Sequence, residues 1–185
     1  MKAAEKVIAI ALAEVGYLEK ETNAWLEHST ANAGDENFTK YARDLDAIGF
    51  YNGAKNGYAW CDVFVDWCFV QAFGEEKALE ITFQPRLHFF NRGAGCRYSR
   101  RYYESRGRLF DSPKKGDQIF FWNEEKTAAC HTGLVCDADE AWVYTVEGNT
   151  SDQAGVVANG GSVNKKKYLL TDERIAGYGR PAYEE

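Results

Sequence analysis

None of the five cysteines, Cys61, Cys68, Cys96, Cys130 and Cys136, stands in a CxxC pair, and their number is odd. Neither a zinc ribbon nor a disulfide framework is therefore expected. Reduced thiols made in a cytoplasm are the simplest reading. No apolar run approaches the length needed to cross a membrane, so no membrane insertion is expected. Positive charge is scarce: the formal net charge is −6, which gives nucleic-acid binding no electrostatic support. The one tight basic run, Lys165-Lys166-Lys167, reads as a solvated strand or loop. Asp35, Glu36, Asp44 and Asp46 lack the DxDxDG spacing of a calcium loop and read as helix-end and surface carboxylates. Repeats, linkers and low-complexity stretches are missing as well.

What is present suits one domain over residues 1–185, with 45% hydrophobic and 15% aromatic residues to build a core. The short apolar run Val7–Ala13 is bounded by Glu5 and Glu14 and has helical spacing. It reads as an amphipathic helix from Lys2 to about Val15 rather than a Sec signal. Asp35 is expected to cap a second helix ending before Gly49. Cys61–Phe73 is apolar nearly all round, with Asp62 and Asp66 as its one polar stripe, so it reads as a central helix stopped by Gly74. A short helix at Glu75–Leu79, irregular chain over Thr82–Gly95, and a helix at Ser99–Ser105 capped by Ser99 follow. Thereafter Asp117–Trp122, His131–Asp137, Ala141–Gly148, Lys166–Leu170 and Ile175–Gly179 read as short strands. Helices first and strands second is the α+β pattern.

The chemistry centres on Cys61. A thiol at a helix N-terminus sits against backbone N–H groups and the positive end of the helix dipole, which favour the thiolate. Such a nucleophile needs a base, and the base needs an orienting group. His28 and His88 lie in polar or irregular segments and read as surface residues, whereas His131 begins a strand beside the small residues Thr132 and Gly133. Glu147 and Asn149 are two apart on the next strand and share a face with Thr145. His131 can meet them only if paired residue numbers across the hairpin sum to an even value. The expected registers are a sum of 278, with a three-residue loop Ala138-Asp139-Glu140, or a sum of 280. Cys68, Cys96, Cys130 and Cys136 read as inert small hydrophobes. Metal binding by Cys130, His131 and Cys136 has poor geometry, because adjacent strand residues point to opposite faces.

The segments AWCDVFVDWCFVQAFG, GDQIFFW, HTGLV and VYTVEGNTSD, in that order, resemble the CHAP family of cysteine- and histidine-dependent amidohydrolases/peptidases. The likeness runs from the first helix to the terminal GYGRP and is nearest the phage-type, endolysin-like forms. It implies a papain-like (NlpC/P60-type) fold, with the nucleophile helix packed on a C-terminal antiparallel sheet. It also implies cysteine-catalysed hydrolysis of an amide of bacterial peptidoglycan, by an N-acetylmuramoyl-L-alanine amidase or a stem or cross-bridge endopeptidase. Cys61 matches the nucleophile, His131 the base, Glu147 the orienting residue and Asn149 the polar residue after it. Asp117 matches a structural position. Asn56 and Tyr58 are candidates to complete an oxyanion hole with the Cys61 N–H. Trp60, Tyr58 and Trp122 are candidates to line a substrate groove, and Arg86, Arg92 or Arg97 to clamp a stem carboxylate. No cofactor is expected. Some relatives bind calcium ahead of the cysteine, where this chain has Asp46, Asn52 and Asn56 but no clear motif. The partner expected is peptidoglycan, met by a monomer that is made in the cytoplasm and released to the wall as a phage lysin or exported effector. A separate wall-binding module in a longer protein is compatible with this. The competing classes are a non-catalytic wall-binding module and a thiol acyltransferase or deamidase toxin.

Overall fold

The structure is a computed structural model and describes residues 1–86 and 92–184. His88 lies outside the described residues. Among the described residues five helices precede or border six strands: α1 (Ala3–Ala13), α2 (Lys40–Ala47), α3 (Cys61–Phe73), α4 (Glu75–Ile81) and α5 (Cys96–Glu104), then β1 (Leu109–Phe110), β2 (Gln118–Trp122), β3 (Ala129–Ala138), β4 (Trp142–Thr150), β5 (Ser162–Leu169) and β6 (Ile175–Gly179). The strands form one antiparallel sheet in the order β1-β6-β2-β3-β4-β5. The α+β expectation holds. Strand β1, too short to leave a periodic signal, is an addition to it.

Helix α3 is the centre of the helical layer. It touches α1, α2, α4 and α5, and lies on β3 and β4. Its all-round apolarity follows: ten of its thirteen residues are buried, which a helix packed on one side only would not require. Val63, Phe64, Val65 and Phe69 join Leu134, Val146 and Val163 of the sheet in the main core. The approach to β4 is close. A Cβ on Gly148 would fall 2.5 Å from Phe64 Cβ and 2.8 Å from Trp60 Cζ3, so only glycine fits between the site strand and the site helix.

Two caps differ from expectation. Helix α2 starts at Lys40, capped by Thr39, whose hydroxyl accepts from the Ala42 N–H at 3.1 Å; Asp35 lies before it and is not the cap. Helix α5 starts at Cys96, so Ser99 is inside it. Its hydroxyl donates instead to Asp62 Oδ2 at 2.9 Å. The polar stripe of α3 is itself buried. Asp62 also accepts from the Gly95 N–H at 2.8 Å and from Gln118 Nε2 at 3.1 Å. Asp66 accepts from the Tyr51 hydroxyl at 2.7 Å and from Gln84 Nε2 at 2.6 Å. Burial raises the Asp62 pKa to about 6, against the hydrogen bond from Gly95. Asp117 ties the start of β2 to the C-terminal segment through Arg180, at 3.0 and 2.8 Å.

The hairpin of β3 and β4 reaches the even register by an unexpected route. Its turn is Glu140-Ala141, closed by the Asp139 N–H donating to Trp142 O at 2.9 Å, not a three-residue loop. Next to the turn the pairs are Ala138↔Val143 and Asp137↔Tyr144, an odd sum. The register then shifts between Val135 and Asp137, and Val135↔Thr145 and Leu134↔Val146 sum to 280. A bulge at Cys136 restores the alternation that brings His131 and Glu147 to one face.

Candidate active site

Cys61 is the first residue of α3, and the loop before it is held rigidly. Both Asp46 carboxylate oxygens accept backbone N–H groups there, Oδ1 from Lys55 at 2.7 Å and Oδ2 from Asn56 at 2.9 Å. Gly57 turns the chain with φ +90°, a conformation that favours glycine. Among the described residues no side chain caps α3. Its first N–H groups therefore remain directed at the position where charge on sulfur or on a reacting oxygen would sit.

His131 and Glu147 are both fully buried, and His131 Nε2 lies 2.8 Å from Glu147 Oε2. Glu147 is itself fixed by two hydroxyls: Thr145 donates to Oε1 at 2.5 Å and Tyr168 to Oε2 at 3.1 Å. Phe121 stacks on the imidazole, with centroids 5.9 Å apart. The space beside Gly133 is filled by the Glu147 side chain, for a Cβ there would lie 2.4 Å from Glu147 Cγ. With Nε2 committed to Glu147, Nδ1 is the free nitrogen. It is buried and has no hydrogen-bond partner of ordinary geometry among the described residues.

The proton affinities separate accordingly. Burial works against an imidazolium at His131, but the neighbouring Cys61 sulfur and Glu147 outweigh it and raise the pKa to about 9. The Cys61 thiol is held well below the usual thiol range. The Cys96 thiol, with sulfurs 3.5 Å apart, is the main cause; burial opposes it, and His131 and the Asp62 backbone N–H add to the lowering. The paired Cys96 thiol is pushed the other way, well above that range, first by its bond to Cys61 and then by burial. Both shifts favour a thiolate at Cys61 and an imidazolium at His131, the pair that nucleophilic attack and proton return require. No hydrogen bond yet joins sulfur to Nδ1, and such bonds commonly tighten only with substrate bound.

The remaining candidates divide. Asn149 is buried in the left-handed region, φ +53°, where the pairing of β4 with β5 shifts. Its Oδ1 accepts from the Gly161 N–H at 3.2 Å and its Nδ2 faces Asn37 at 3.5 Å, so it shapes this corner and does not hold the histidine. Asn56 is spent on the scaffold, accepting from the Thr39 N–H at 3.0 Å and donating to Asn23 at 2.9 Å. That commits its carbonyl and one amide hydrogen to the loop scaffold. Tyr58 is 66% exposed, its ring turned to solvent. Trp60 is fully buried in the core, donating to Glu19 at 2.7 Å, and lines no groove. Trp122 is half-buried beside the cluster of Cys61, Cys96 and Ala129, under the Arg100 guanidinium at 4.6 Å. Of the three arginines, Arg92 is buried, bound to Phe50 O and Pro85 O and facing Glu75, and is no clamp. Arg86 and Arg97 have exposed partners. His28 is exposed, and its Nδ1 accepts from the Thr30 and Ala31 N–H groups of its own turn.

Calcium does not fit the residues ahead of Cys61. Asp46 and Asn56 are committed as above, and Asn52 Oδ1 accepts from Lys55 Nζ at 3.0 Å, a cation already in place. Among the described residues, no three His, Cys, Asp or Glu side chains converge as metal ligands do. A cavity of about 680 Å³ lies over β4 and β5, lined by Trp142, Tyr144, Lys165, Lys167 and Tyr168, away from Cys61. Cys96 and the buried Asp62 are what the sequence reading missed. A cysteine 35 positions away carries no local sign of contact with Cys61.

Residues 53–149 match the family described as the CHAP domain. They contain Cys61, His131, Glu147 and Asn149. Among solved structures, the crystal structure of Ly7917 superposes with a TM-score of 0.52 at 10% identity, over 96% of this chain. The chain spans 62% of the length of that structure's chain, and the likeness is one of fold. No curated protein matches.

Proposed function

Because the chain belongs to the CHAP family, a papain-like α+β family, we propose that it hydrolyses an amide bond of bacterial peptidoglycan through a Cys61 thioester. Membership supports a hydrolase of the amidase or peptidase type. The observation that carries the fuller reading is the buried His131–Glu147 pair, with its free Nδ1, beside a helix-start thiol.

In this reading the Cys61 thiolate attacks the amide carbonyl carbon, and the carbonyl electrons move to oxygen. The uncapped first N–H groups of α3 stabilise that oxyanion. The imidazolium returns its Nδ1 proton to the leaving amine as the C–N bond breaks, leaving a thioester. Neutral His131 then takes a proton from water, and hydroxide displaces the sulfur. Glu147 holds the ring and balances its charge throughout. Calcium takes no part. The role is that of a wall-degrading enzyme of the endolysin kind.

Digestion of purified peptidoglycan by the full chain, followed by mass spectrometry of the fragments, tests this. The expected result is hydrolysed amide bonds. Free lactyl groups with intact stems mean an amidase, and new amino termini within the peptide mean an endopeptidase. Sacculi left unchanged, while the chain is retained on them, would favour a wall-binding module. Acyl transfer to added amines in place of hydrolysis would favour an acyltransferase.

A further inference from the structure

We propose that Cys96 is a resolving thiol, which forms a reversible disulfide with Cys61 when the protein meets a hydroperoxide. Resting on the role proposed above for Cys61, this makes the site redox-gated.

The two sulfurs are 3.5 Å apart. Among the described residues no other pair of cysteine sulfurs makes such a contact; Cys68 is buried elsewhere in the core, and Cys130 and Cys136 are half-buried. The proximity is built rather than incidental. Cys61 opens α3 and Cys96 opens α5, and one carboxylate locks the two first turns together. Asp62, next to Cys61, accepts from the Gly95 N–H before Cys96 and from the Ser99 hydroxyl after it, at 2.8 and 2.9 Å. Gln118 holds the other Asp62 oxygen at 3.1 Å. Bond formation requires the sulfurs to close from 3.5 Å to about 2.05 Å. Cys61, the thiol that ionises, is the one that attacks a peroxide, and the protonated Cys96 waits beside it.

The step balances. The Cys61 thiolate attacks one peroxide oxygen, the O–O bond breaks, and hydroxide leaves with the electron pair, giving Cys61 sulfenic acid. The Cys96 sulfur then attacks the Cys61 sulfur, the S–O bond breaks, and water leaves with the Cys96 proton. Two thiols are oxidised, one hydroperoxide is reduced, and a dithiol reverses the result. Without Cys96, the sulfenic acid continues to irreversible sulfinic acid.

The test treats the full chain with hydrogen peroxide, then maps peptides under non-reducing conditions and measures hydrolysis before and after dithiothreitol. The expected result is a Cys61–Cys96 linked peptide, loss of most activity, and recovery of nearly all of it on reduction. In Cys96→Ser, judged against its own untreated rate, the loss should become permanent, with Cys61 found as sulfinic acid. Wild-type Cys61 found as sulfinic acid or free thiol, with no linked peptide, would overturn the inference. So would a Cys96→Ser protein that recovers as fully as the wild type. A linked peptide in a protein whose untreated form hydrolyses nothing would leave the disulfide standing and refute the nucleophile role instead.

Discussion

Cys61→Ala is expected to lower hydrolysis by about 10⁶-fold, the loss seen when the nucleophile of a covalent two-step hydrolase is removed. No other thiol can replace it. Cys96 is the nearest, but its proton is held, and it lies on α5 rather than at the uncapped start of α3. Cys68 is buried in the core among apolar side chains, which raise its pKa well above the thiol range. The fold should survive, because the change removes one small, almost fully buried atom and no hydrogen bond of the Asp62 clamp. Circular dichroism should therefore match the wild type while fragment release disappears. A variant that is folded and still releases fragments would remove Cys61 from the mechanism.

Glu147→Gln should cost up to about 10⁴-fold, as when the carboxylate that orients a catalytic histidine becomes an amide. The amide can keep one hydrogen bond to Nε2, so ring position is only partly lost. What vanishes is the negative charge opposite the imidazolium, together with the preferred tautomer. Thr145 and Tyr168 now donate to the carboxylate and would have to turn to suit an NH₂ group. The pH dependence gives a second readout. His131 is raised in the folded protein from 6.5 to about 9, chiefly against burial and through Cys61 and Glu147. Its protonated form therefore contributes stability that is fully present below about 6.5 and lost as pH rises through about 9. Activity that needs the imidazolium should fall over the same alkaline limb. In Glu147→Gln one of the two supports is gone, and that limb should move to lower pH. A variant with near-normal rate and an unmoved limb would show that Glu147 is structural only.

The sequence showed the site more fully than its surroundings, for reasons visible in particular residues. The start of α3 at Cys61 was legible because Gly57 and the apolar run after Cys61 mark a loop and a buried helix. The shared face of His131 and Glu147 was legible from strand alternation alone. The hairpin turn was not, because the bulge at Cys136 is a backbone event that leaves the hydrophobic pattern intact. Asn149 looked like a partner for the histidine by the same alternation. Its positive φ, where β4 and β5 lose register, turned it to Gly161 instead. The aromatic residues before Cys61 gave no signal to separate a core Trp60 from an exposed Tyr58. The contact between Cys61 and Cys96 depends on how α5 is pinned to α3, through partners of Asp62 that are 33 and 37 positions away. A single sequence carries no local mark of that.

The most direct check is the pH dependence of Cys61 alkylation by iodoacetamide in the native protein, followed by peptide mass mapping so that each cysteine is scored separately. A thiolate–imidazolium pair predicts that Cys61 reacts well below the pH at which an ordinary thiol of pKa about 8.5 does. Its reactivity should change again as His131 loses its proton near 9. Cys61 titrating as one unperturbed thiol, in step with the half-buried Cys130 and Cys136, would contradict the pair and with it the proposed mechanism.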